Sequence, residues 1–165
     1  MKPKNITLSI VLILLFVLNS GNYSYSEDFK QVEHLFSLRN TITDQGSIIP
    51  EKIRNAQGAD IRTLERIFEM ETSMLTTMEA YFRILMISIS SKSESTPETV
   101  KILNGWLEFI INQCKYDIEY LDEALKETKS PAVIEEIISA KDNIEKLSDI
   151  AKKSIAENSA MLVKN

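Results

Sequence analysis

Apolar residues recur at every third or fourth position through residues 51–92 as Ile61, Leu64, Phe68, Leu75, Met78, Phe82, Leu85 and Ile89. That period lines them up along one side of an α-helix, and so long an apolar side needs other helices to cover it. Residues 131–163 repeat the period with Ile137, Ala140, Ile144, Leu147, Ala151 and Ile155. Residues 97–128 do so with Val100, Leu103, Leu107, Ile110, Cys114, Ile118, Leu121 and Leu125. Strict alternation and glycine-centred hairpin turns, the marks of strands, are missing. The predicted fold is all-α, an antiparallel helical bundle.

Prolines set the boundaries. Pro97 follows Thr96 and Pro131 follows Ser130, which places a hydroxyl N-cap before a proline at the first helical position. Pro50 follows the loop Asp44-Gln45-Gly46-Ser47. The punctuation predicts helices over 27–43, 51–92 (with a weak point at Gly58), 97–128 and 131–163. Three long helices and a shorter N-terminal one form a single domain over 27–165, large enough to bury a core. Short connections make neighbouring helices antiparallel.

Residues 1–26 read as a cleaved signal peptide. Lys2 and Lys4 form a basic start, residues 6–18 are apolar except for Thr7 and Ser9, and Ser24 and Ser26 suit a cut before Glu27. The apolar run is too short for an ordinary membrane span. No cysteine follows it to carry a lipid. The expected destination is export, periplasmic or secreted, with no stable membrane anchor after cleavage. Removal of the leader takes away two lysines and no acid, so the formal net charge of −5 becomes −7. That balance argues against nucleic acid and anionic membranes as partners. Cys114 is the only cysteine, so no internal disulfide can form, and a lone thiol in an oxidising compartment is expected to be buried.

Most site chemistries lack their residues. The chain has one histidine, His34, and no Glu-x-x-His pair, Cys-x-x-Cys-His motif or glycine-rich phosphate loop. His34 points away from the apolar face of its helix and is expected in solvent. A haem held by His34 and Met161 is disfavoured by the same argument. No catalytic residue, cofactor or metal is assigned, and a non-enzymatic protein is expected.

Two groups of residues stand out. Glu71 occupies the core position between Phe68 and Leu75, and Gln113 and Asp117 fall within the apolar arc of residues 97–128. An antiparallel hairpin sets Glu71 opposite the 117–121 turn, so two carboxylates and an amide are expected to share a layer. Buried carboxylates need a cation, a proton or water. The layer is open at a frayed edge, or satisfied by Lys141, or a register-fixing polar layer, or else a pocket for a small ligand or metal ion. Carboxylates alone hold a transition metal weakly, and calcium asks for more oxygens.

Beside the core face of residues 97–128 runs a second row: Ile102, Trp106, Phe109, Tyr116 and Tyr120. The simple expectation is that the first or last helix covers it. Left open, Trp106, Phe109, Tyr116 and Tyr120 form a protein interface, since such residues are enriched there. Met70, Met74, Met78 and Met86 are expected as core filling rather than an adaptable binding face. The functional expectation is a bundle acting by protein–protein contact, as a binding or scaffolding module or a homodimer. The alternative is a ligand or metal ion held around Glu71, Gln113 and Asp117.

Overall fold

The computed structural model describes the backbone of residues 28–91 and 96–164 and the side chains of 33–88, 91 and 96–160. The expected signal peptide lies outside these residues. Five helices follow one another: α1 Asp28–Gly46, α2 Ile49–Asn55, α3 Ala59–Ser90, α4 Pro97–Glu127 and α5 Pro131–Lys164. The described residues contain no strand. Among them no helix is long and apolar enough to cross a membrane. The all-α bundle of three long helices and a shorter N-terminal one is the observed architecture.

The long helix expected over 51–92 is two helices. Ala56 is extended and Gly58 takes φ +59°. The left-handed conformation at Gly58 strains any residue with a Cβ, so the weak point is a full break. Pro50 therefore lies in the first turn of the short α2 rather than at the head of the long helix. At α4 the expected cap is present, with the Thr99 N–H donating to Thr96 Oγ1 at 3.3 Å. Ahead of α5, the Thr128 hydroxyl donates to Asp60 Oδ1 at 3.1 Å and the Ser130 N–H donates to Thr128 Oγ1 at 3.3 Å. The α4–α5 turn is thereby tied to the start of α3.

α4 and α5 pack along much of their length, α3 contacts every other helix, and α1 lies against α3 and α5. The buried row of α3 is Leu64, Ile67, Glu71, Met74, Met78 and Tyr81, flanked by Met70 and Phe82. This row alternates steps of three and four, so it stays on the partner helices over many turns. Phe68, expected in the core, stands one residue off that row and is 38% exposed. Met70, Met74 and Met78 fill the core as expected, while Met86 is half-buried. Val100, Leu103, Leu107, Ile110, Cys114, Leu121 and Ala124 line α4's buried side, with Asp117 among them. α5 contributes Val133, Ile137, Ala140, Ile144, Leu147 and Ala151. α1 adds Leu35, Leu38 and Ile42, and Phe36 stacks on Phe82 with centroids 4.6 Å apart.

Candidate functional site

Glu71 sits in the middle of the α3 core row, 3% exposed. Its carboxyl points at the end of α1, where a Cβ on Gly46 would stand 3.1 Å from Oε2. That oxygen is buried without a hydrogen-bond partner. Across from it, Glu136 of α5 is also buried and forms an ion pair with Lys52 of α2. Close by along α5, the Asn143 amide donates to Gln45 Oε1 at the end of α1. α1, α2 and α3 thus contribute polar groups to the same stretch of α5 and its surroundings. Burial, and then the charge of Glu136, push the Glu71 carboxyl from 4.5 up to about 7. Near neutrality Glu71 is therefore divided between a neutral acid and a carboxylate.

Asp117, 2% exposed, has different neighbours. Its Oδ1 accepts from Gln113 Nε2 at 3.1 Å, while Oδ2 is buried without a partner. Burial raises its pKa, against a smaller lowering by the Gln113 bond and the Arg66 guanidinium. The antiparallel register of α3 and α4 is the expected one: Asp60 meets Thr128, and Arg66 lies over Tyr120. Glu71 and Asp117 accordingly fall at similar heights along the bundle. Gln113 and Asp117 are joined as expected. Glu71 makes no hydrogen bond to either and turns instead to Gly46 and Glu136. Lys141, one expected partner for the layer, is committed to Asp122 at 2.5 Å.

The sequence reading missed Gly46, Lys52, Glu136 and Asn143. Glu136 and Asn143 each directly precede a core isoleucine of α5, and that adjacency was the available signal. It also missed a second polar link: Asn158 of α5, which hydrogen-bonds to Tyr81 of α3 and donates to Asn104 Oδ1 of α4 at 2.9 Å. His34 is exposed, as expected, and the Met161 side chain lies outside the described ones. Among the described residues, no group of three or more His, Cys, Asp or Glu is arranged to hold a metal ion. Cys114 is buried, and burial followed by the nearby Asp117 pushes its thiol up to about 12.

The aromatic row of α4 is not covered, contrary to the simple expectation that α1 or α5 would do so. Ile102, Phe109 and Tyr116 are 56%, 53% and 67% exposed. Trp106 and Tyr120 are half-buried and pack against the core from the edge of the row. Trp106 meets Phe109 edge to face, with centroids 6.2 Å apart. The Arg66 guanidinium lies 5.8 Å from the Tyr120 ring centroid, within cation–π range. The four expected interface residues therefore share one flank of α4, two of them open to solvent and two holding the flank to the bundle. No protein-family model, curated protein or solved structure matches this chain.

Proposed function

We propose that this is an exported, non-enzymatic helical bundle that works by protein–protein contact, with the outer flank of α4 as its contact surface. The observation that carries the reading is the run of Ile102, Phe109 and Tyr116, three large side chains more than half exposed along one line of a well-packed helix. Exposed apolar rows of this kind mark interaction sites. The half-buried Trp106 and Tyr120 give it a fixed base, and Tyr and Trp suit surfaces that are apolar on one side and wet on the other.

A photoreactive residue placed at Phe109 or Tyr116, in cells that make the protein, tests this. The expected result is discrete protein adducts at those two positions and none at Lys146, an exposed site on α5. No adduct at either α4 position would overturn the reading.

A second reading has one observation in its favour, the unpartnered oxygens of Glu71 and Asp117. A small ligand or ion carrying donors could satisfy them. A proton on Glu71 removes its charge without any ligand, which is why this reading stands second. A retained small mass in native mass spectrometry that disappears in Glu71→Gln would place it first.

A further inference from the structure

We infer that α1 and α2 form a proton-held arm, which closes over the Glu71 carboxyl while that group is neutral and swings away from α3 and α5 when it ionises. The arm lies away from the α4 flank, so this inference stands or falls separately from the contact reading above. Phe36 stacks on Phe82 and Gly46 abuts Glu71, so α1 runs antiparallel along the 71–82 stretch of α3. Leu35, Leu38 and Ile42 of α1 and Ile49 of α2 are buried on the arm's inner side. Towards Gly46 this packing turns polar.

Gly46 stands over Glu71 Oε2, an oxygen buried without a hydrogen-bond partner. An ionised carboxylate in that place needs donors. The nearby ones are committed, Lys52 to Glu136 and the Asn143 amide to Gln45. Water is the donor left. Gly46 is itself half-exposed, whereas Ile67, Met74 and Ile137 on the other sides are buried. The way in for water is therefore past the end of α1. Among the charged groups of the surrounding elements, Asp44 of α1 and Glu51 and Arg54 of α2 are exposed, Lys52 of α2 is paired with Glu136 of α5, and Asp117 of α4 is bonded to Gln113. Burial first, and then Glu136, keeps the proton on Glu71 up to about pH 7.

The chain provides a hinge for this motion. α2 passes into α3 through the extended Ala56 and the left-handed Gly58. Nothing stands within 4 Å of where a Gly58 Cβ would be, so the hinge turns in open space. Just beyond it Asp60 accepts from the Thr128 hydroxyl, which ties the start of α3 to the α4–α5 turn. The arm can thus shift while α3, α4 and α5 keep their mutual packing. Opening uncovers the arm's apolar side and the stretch of α3 that carries Met74 and Met78, and methionines make such a surface adaptable. The closed arm holds the proton more tightly than the open one. Opening is therefore suppressed in acid, grows as pH rises past 4.5 and levels off above about 7.

Native-state hydrogen exchange of the purified protein at pH 6 and pH 8, corrected for intrinsic amide rates, tests the inference. Amides from Leu38 to Gly46 should be at least about tenfold less protected than the core amides of α4 and α5 at both pH values, because the arm opens while the core stays closed. Their opening equilibrium should rise about tenfold from pH 6 to pH 8, the ratio set by a carboxyl at about 7 when closed and 4.5 when open. In Glu71→Gln, which keeps the shape and removes the charge, that rise should vanish although the exposed His34 of α1 remains. The wild-type comparison stands without any variant. Protection over 38–46 equal to that of α4 and α5 overturns the arm, since α1 would then leave only with global unfolding. So does an opening that is indifferent to pH in the wild type, or a rise with pH that survives Glu71→Gln.

Discussion

Gly46 ends α1 directly against the Glu71 carboxyl, with room for a hydrogen but not for an ordinary methyl contact. A Cβ there would stand 3.1 Å from Oε2. Glu71 is buried on all other sides and has little freedom to withdraw. Replacing Gly by Ala in a helix ordinarily gains up to about 1 kcal/mol. At position 46 that gain should be cancelled or reversed. In a Glu71→Ala background the crowding disappears and Gly46→Ala should recover a stabilising effect. A double-mutant cycle by urea denaturation measures the difference. Strict additivity of the two substitutions would contradict the contact.

The same carboxyl makes stability depend on pH. Its pKa is raised in the folded protein from 4.5 to about 7 by burial and by Glu136. Below about 4.5 Glu71 is protonated in both the folded and unfolded chain. Between about 4.5 and 7 the unfolded chain releases this proton first, so the folded state is progressively disfavoured as pH rises, and above about 7 the effect levels off. A shift of this size corresponds to at most about 3 kcal/mol. Glu71→Gln removes the charge and keeps the shape. It should stabilise the protein at pH 8 and change little at pH 4.5. Urea midpoints of wild type and variant at the two pH values give the comparison, and a constant gap between them would refute it.

The helical character of every long segment was legible in the sequence, because a three-to-four apolar period admits no other partner geometry. The α4 cap at Thr96 and the burial of Cys114 were legible for the same reason, each being fixed by local spacing. The division of residues 51–92 was only half visible. Gly58 marks a weak point, but whether a glycine interrupts a helix or sits within it depends on what packs against the flanking turns. Phe68 was misplaced because period alone cannot separate two rows one residue apart. The choice fell to Ile67 once α1, α4 and α5 surrounded α3. The neighbours of Glu71 could not be assigned to it for a related reason. Gly46, Lys52 and Glu136 come from three other helices, and no periodicity within α3 reports how those helices rotate.

At Gly58 the backbone rather than packing sets the outcome. A Cβ there would meet nothing within 4 Å, yet φ is +59°. Gly58→Ala should therefore cost about 1 kcal/mol through left-handed strain alone, while Gly58→Asn, which tolerates that region better, should cost less. Thermal melts of the two variants order them. Equal losses would mean that something other than φ is limiting.

Lys52 neutralises Glu136, and Glu136 is the charge that faces Glu71. Lys52 is 31% exposed while the Glu136 side chain is only 9% exposed, so the pair is half in water and half in the core. Lys52→Met leaves Glu136 buried without its cation. Removing one partner of such a pair is costly because the remaining charge cannot regain its hydration, and about 2 kcal/mol is expected here. Glu136 would then press harder on Glu71, so the loss should grow as pH rises through about 7 and Glu71 ionises. Pairing Lys52→Met with Glu136→Gln removes both charges and should recover most of the stability, since neither then needs a partner. Denaturation midpoints of the two single variants and the double at pH 6 and pH 8 settle the point. A double variant as unstable as Lys52→Met alone would show that the lysine acts through its packed stem rather than its charge.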